Sequence, residues 1–254
     1  MIAPHSGSTP VPAVLAIGGL DSSGGAGLSR DVRTLTELGI DALCIATAVT
    51  AQTDSEVIAI HHVPSGMISA QIKTALATRQ VAAIKIGMLG TAASVQAVSE
   101  SLLLCDDRIP VILDPVLEST SGGVLLDDEG RDALRRKLLP RVTLLTPNLP
   151  EAAALLGPNS EIDVVTQAQR LLALGPAAVL IKGGHGTGDQ AIDYLVSRSA
   201  APRRFALPRL NATRRGTGCA LAAAISAGLA SGTTLEKACY DAKMYVQNSI
   251  GGRS

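Results

Sequence analysis

The stretch AVLAIGGLDSSGGAGLSRDVRTLTELG, residues 13–39, begins as an uncharged apolar run, breaks into a turn rich in Gly and Ser, and continues as a helical candidate over 26–38. A short run without charge that ends in glycine reads as a strand buried on both faces, the pattern expected of a parallel sheet. The same unit recurs in ALCIATAVT (42–50), AAIKIGML (82–89), PVILDPV (110–116), VTLLTPN (142–148) and AAVLIKGG (177–184), each closed by a Gly, Pro, Asp or Asn signal. Helical candidates lie at 65–78, 91–104, 127–138, 150–156, 163–174, 217–231 and 234–250, with Ser65, Thr91 and Asp163 as expected N-caps. Strands alternating with helices predict an α/β fold in which a mostly parallel sheet is covered on both faces, a three-layer α/β/α sandwich. The segment from 189 departs from this and reads as an antiparallel meander, with strands near 191–197 and 204–209.

Composition agrees with that architecture. Hydrophobic residues make up 46% of the 254 and aromatics only 2%, so the core must be built from Ala, Val, Leu and Ile. One domain over 1–254 is expected, with residues 1–12 as a flexible lead-in. Lys plus Arg equals Asp plus Glu at 22 each, which leaves no overall field to attract nucleic acid or an anionic membrane. Any anionic ligand therefore needs a local site. No run reaches the roughly 20 apolar residues of a membrane span. Cys44, Cys105, Cys219 and Cys239 lack metal or redox spacing and read as reduced thiols in the cytoplasm.

Ligands of such sheets bind beyond the carboxyl ends of the strands, so the residues following each apolar run are the candidates. The loop 18–31 has glycines that allow close backbone approach, but it matches neither a dinucleotide fingerprint nor a Walker motif. Asp114 ends a strand otherwise free of charge, where it would either hold Mg²⁺ near a phosphate or cap a turn. Asn148 and Glu151 lie one helical turn apart, suited to a metal site or to a capping box. Lys182 leaves a buried strand, facing either a phosphate or solvent. In NATRRGTGCALAAAI, residues 211–225, Gly216 and Gly218 let amides converge at the start of an apolar helix, forming an anion hole. Cys219 stands in the first turn of that helix, where the thiol pKa is expected to fall. Arg214 and Arg215 beside it are either phosphate contacts or solvated.

Taken in order, GGLDSSGGAGLSRDVRTLTELG, TAVTAQT, KIGMLGT, LDPVLESTSGG, LLTPNLPEAAALLG, IKGGH and GTGCALAAAI resemble the hydroxymethylpyrimidine/phosphomethylpyrimidine kinases of the ribokinase-like superfamily, over about 13–250. The resemblance implies a cytoplasmic kinase of thiamine biosynthesis that uses ATP and Mg²⁺ and phosphorylates the hydroxymethyl group of a pyrimidine and then its monophosphate. It also implies roles. Gly19, Asp31, Gln52 and Met88 would bind the pyrimidine, and Asp114, Asn148 and Glu151 the metal. Lys182, Thr217 and Asp114 would serve the nucleotide, and Gly216, Gly218 and Cys219 the transfer. Many sugar kinases of the superfamily have Asp where this chain has Cys219, whereas the pyrimidine kinases have Cys. Cys219 is the expected general base, with simple positioning as its rival.

A homodimer is the expected assembly. The chain departs from the family pattern at Gly19-Leu20-Asp21, at Gly27-Leu28-Ser29-Arg30-Asp31, at Thr213-Arg214-Arg215 (usually Asn-Thr-His), and in stopping at Ser254 without the familiar tail. Two other readings are a pyridoxal-type kinase and a pyrimidine-phosphate sensor that binds without transfer.

Overall fold

The computed structural model describes residues 11–53, 55–119, 122–157, 163–184, 188–210 and 215–252. Nine strands form one sheet in the order β3-β2-β1-β4-β5-β6-β7-β8-β9. They are β1 (Ala13–Asp21), β2 (Asp41–Gln52), β3 (Val57–His62), β4 (Val81–Ile86), β5 (Val111–Leu113), β6 (Leu144–Leu145), β7 (Ala178–Ile181), β8 (Gln190–Ser197) and β9 (Arg203–Pro208). The run from β2 to β7 through β1 is parallel, and β3, β8 and β9 pair antiparallel at the two edges. The sheet is thus mostly parallel, as the alternation predicts.

The helices are α1 (Gly27–Glu37), α2 (Ser65–Thr78), α3 (Ala92–Leu102), α4 (Asp128–Ala133), α5 (Leu149–Leu156), α6 (Val164–Ala173), α7 (Thr217–Ala230) and α8 (Leu235–Ile250). Side chains alternate across each strand, and the sequence assigns both faces to burial. Leu15, Ile17, Ile84 and Ile86 pack with residues of α2, α3, α5 and α6, whereas Val14, Ala16 and Ala83 pack with residues of α1, α7 and α8. This is the α/β/α sandwich. The strand order reverses between β2-β1 and β4, which makes a topological switch point at the carboxyl end of β1.

Three local expectations need correction. The strand β3 was not foreseen, because VIAIHH is apolar without alternation and gains its place by pairing with β2 beyond the helix-covered sheet. The helix expected over 127–138 is α4 followed by one π turn, Leu134–Leu138, and a 3-10 turn to Arg141. Pro140 lacks an N–H and crowds the preceding turn, so regular α-helix cannot run through it. Ser65 does not cap α2: Pro64 occupies that position and its carbonyl accepts the Met67 and Ile68 amides. Thr91 and Asp163 do cap α3 and α6, accepting the amides of Ser94 and of Val165 and Thr166.

An ion pair lies fully inside the layers. Lys85 of β4 donates from Nζ to Asp31 Oδ2 of α1 at 2.7 Å, with the two side chains only 1% and 0% exposed. Burial raises the Asp31 carboxyl and Lys85 opposes that rise. Burial also pushes the Lys85 ammonium down, but attraction to Asp31, and then to Cys219 and Asp114, outweighs it and leaves the ammonium above its ordinary value. Removing one partner strands the other charge in the core. Lys85→Met is expected to lower stability by about 3–5 kcal/mol in urea titration, and Lys85→Met/Asp31→Leu to recover most of it. A single variant as stable as the wild type would contradict the pairing.

Candidate active site

The start of α7 lies against the β1–α1 loop and against Asp114 and Lys182, which follow β5 and β7. Gly216 caps that helix with φ 70°, a left-handed conformation that favours glycine. A Cβ added there would lie 2.3 Å from the Gly25 carbonyl oxygen, so only glycine lets the β1–α1 loop touch the start of α7. Thr217 is the first helical residue, and the unpaired amides and dipole of this end make a cradle for anions. A Cβ added at Gly218 would lie 3.3 Å from both Asp114 Oδ2 and Lys182 Nζ. The carboxylate and ammonium therefore stand beside the helix start.

Lys182 Nζ donates to Asp114 Oδ1 at 2.6 Å and lies 3.7 Å from Glu151 Oε2. Burial works against its charge, but Asp114 and Glu151 more than compensate and hold its pKa above the ordinary value. Thr146 Oγ1, at the end of β6, also reaches Asp114 Oδ1 at 3.3 Å. Asn148 Oδ1 accepts the Glu151 amide and Glu151 Oε2 accepts the Asn148 amide, both at 2.8 Å. These two residues thus form the capping box of α5, and through it the Glu151 carboxylate is aimed at Lys182. Burial first, and then the charge of Asp114, raise the Glu151 carboxyl to about 7 against the pull of Lys182.

On the other side of α7, Gly19 and Met88 touch: a Cβ at Gly19 would meet the Met88 sulfur at 2.9 Å. Thr47 Oγ1 fixes the Met88 carbonyl at 2.6 Å. Gln52 ends β2, its amide held by Ser22 Oγ at 3.1 Å and its Oε1 by Thr50 Oγ1 at 3.2 Å. Asp31 does not face solvent: it is sealed against Lys85, yet its Oδ1 has no hydrogen-bond partner among the described residues. Lys85 escaped the sequence reading, although the one charge within AAIKIGML was a signal for it. Asp21 was also missed. Its Oδ1 accepts from the Ser23 amide and hydroxyl, and its Oδ2 from the Ala26 amide and Arg215, an arrangement foreshadowed only by the turn chemistry of Asp-Ser-Ser-Gly-Gly.

The solvated reading of Arg215 does not hold. Its side chain, 16% exposed, is paired with Asp21 and bonded to Ser23 and Thr53, which rules out a solvated loop residue. Arg214 and His185 lie outside the described residues.

Cys219 corrects a second expectation. Burial pushes its thiol up to about 11, further raised by Asp31 and Asp114 and opposed by Lys85 and by a backbone hydrogen bond involving Gly27. Desolvation is the largest of these effects. At pH 7 only about one thiol in 10⁴ is then ionised. Alkylation of Cys219 by iodoacetamide, followed by peptide mass spectrometry, is expected to accelerate about tenfold per pH unit from 7 to 10. A plateau near pH 8 would contradict the raised value.

Comparison with known proteins gives the same answer by three routes. The sequence pattern of the family described as phosphomethylpyrimidine kinase matches residues 21–254. A hydroxymethylpyrimidine/phosphomethylpyrimidine kinase of Mycobacterium leprae is 40% identical, covering 98% of this chain and 91% of its own. The crystal structure of a phosphomethylpyrimidine kinase from Clostridium difficile 630 superposes with TM-score 0.81 at 31% identity, over 94% of this chain and 99% of that one. A Staphylococcus aureus pyridoxal kinase in complex with AMP-PCP and pyridoxal gives TM-score 0.84 at 28% identity, over 95% and 88%. With its glycine turns, strand-end carboxylate and lysine, and Cys219 in the order the resemblance requires, the chain belongs to the phosphomethylpyrimidine kinase family.

Proposed function

We propose that this chain, acting as one kinase domain, transfers the γ-phosphoryl group of ATP to the primary alcohol of 4-amino-5-hydroxymethyl-2-methylpyrimidine and then to the resulting monophosphate. The observation that carries this is the meeting at Gly218 of a helix N-terminus, Lys182 and Asp114, with the Gly19–Met88 contact at the neighbouring strand ends. The alcohol oxygen bonds to the γ-phosphorus while the bond to the bridging oxygen breaks and ADP leaves. The transition state is loose, so positioning and charge neutralisation do most of the work. The amides of Thr217, Gly218 and Cys219 face the transferring group, and Lys182 meets the nucleotide phosphates. Gln52, at the end of β2, supplies a donor and an acceptor for the ring edge, whereas Asp31, sealed against Lys85, acts on the pocket only through the packing of α1.

Asp114 and Glu151 also suit Mg²⁺, which takes one or two carboxylates together with phosphate oxygens and water. Asn148 acts through Glu151, since its Oδ1 caps α5. A bound Mg²⁺ supplies charge neutralisation across the phosphates. Four free cysteines support a reducing, cytoplasmic setting.

Cys219 takes the alcohol proton through its minor thiolate form, which Lys85 favours. With a thiol near 11, kcat is expected to rise with pH through the alkaline range. Cys219→Ala is expected to lose about 10²-fold in turnover and to flatten that rise; a normal rise in the variant would leave Cys219 a positioning residue only.

The function itself is tested with purified protein, Mg²⁺-ATP and the pyrimidine alcohol, resolving products by mass, with pyridoxal as competitor. A mono- and then a bisphosphorylated pyrimidine is expected. Preferred turnover of pyridoxal, or binding without ATP consumption, would overturn it. Asp114→Asn is expected to shift the Mg²⁺ titration to higher concentration, and an unchanged titration would remove Asp114 from the metal site.

A further inference from the structure

We propose that Arg215 is the positioning residue that joins the pyrimidine side of the site to the phosphoryl-transfer turn. It does so by tying the tip of the β2–β3 hairpin and the β1–α1 loop to the residue preceding Gly216. This rests on the function proposed above.

Arg215 Nη1 donates to the Thr53 carbonyl at 2.7 Å and to Ser23 Oγ at 3.2 Å, and Nη2 donates to Asp21 Oδ2 at 3.2 Å. Three segments far apart in sequence thus meet on one guanidinium. Each is next to something the reaction needs. Thr53 follows Gln52 and starts the hairpin turn, its amide bonded to the Glu56 carbonyl at 2.9 Å. The β1–α1 loop carries Gly25, whose carbonyl faces Gly216, and Ser22, whose hydroxyl accepts the Gln52 amide. Arg215 itself is bonded to Gly216, the cap of α7.

The chemistry of the tie suits arginine alone. A planar fork can hold a carboxylate and a carbonyl at once, whereas a lysine ammonium is a point charge that reaches one group well. Asp21, 4% exposed, already accepts from Ser23 and Ala26, and Arg215 supplies the balancing charge. Movement of the hairpin that carries Gln52 is therefore coupled to the turn that receives the phosphoryl group. The tie lies where the chain departs from the Asn-Thr-His of the family it resembles, and it makes use of that departure.

The test compares Arg215→Ala and Arg215→Lys with the wild type by steady-state kinetics and by hydrogen exchange of the β2 and β3 amides near Thr53. In Arg215→Ala the KM for the pyrimidine alcohol is expected to rise about tenfold, the scale of one charge-assisted hydrogen bond. The ATP KM should stay within about twofold, and the hairpin amides should exchange about tenfold faster. Arg215→Lys, which keeps a charge for Asp21, should restore neither the KM nor the protection. Wild-type exchange and KM in Arg215→Ala, full rescue by Lys, or an equal rise in both KM values would each overturn the proposal. If Arg215→Ala fails to fold by circular dichroism, the Lys variant decides. If the wild type does not phosphorylate the pyrimidine, the proposed function fails, while the exchange experiment still decides whether the tie exists.

Discussion

The ammonium of Lys85 is a fully buried charge on β4, whose other side chains are Val, Ile and Ala, and Asp31 is the group that makes its burial tolerable. Because neither charge can be left alone in a dry interior, the pair fixes α1 against β4 at one depth and one rotation. The β1–α1 loop then has to close over the end of β1, which places Gly25 against Gly216 and sets the entry of α7. The start of α7 in turn stands over Asp114 and Lys182. The position of the anion cradle thus follows from an ion pair that does not itself reach solvent.

Around that helix start the charges are arranged as pairs: Lys85 with Asp31, Lys182 with Asp114 and Glu151, and Arg215 with Asp21. Each cation is held by a carboxylate rather than left to solvent, so local charge is organised without any net charge on the chain. The same crowding explains why burial governs the Cys219 thiol. Its neighbours Asp31 and Asp114 oppose the thiolate, and Lys85, already engaged with Asp31, relieves it only in part. Glu151 follows the same logic, with desolvation and Asp114 set against Lys182.

What the sequence determined by itself was most of what depends on neighbours along the chain. Apolar runs ended by Gly, Pro, Asp or Asn marked the parallel strands, and the GTGC turn marked the helix start. Thr91, Asp163 and the Asn148–Glu151 spacing marked helix caps, because a capping side chain bonds amides two or three residues away. The ordered motifs marked the family. Tertiary structure alone decided which of these distant pieces share a charge or a hydrogen bond. Asp31 and Lys85 are 54 positions apart, and Arg215 and Thr53 are 162 apart, so no local pattern relates them. The placement of β3, which depends on pairing with β2, was hidden for the same reason. The state of the Cys219 thiol was beyond a sequence argument too: its position in a first helical turn was legible, but the desolvation and through-space charge that raise it are properties of the assembled fold.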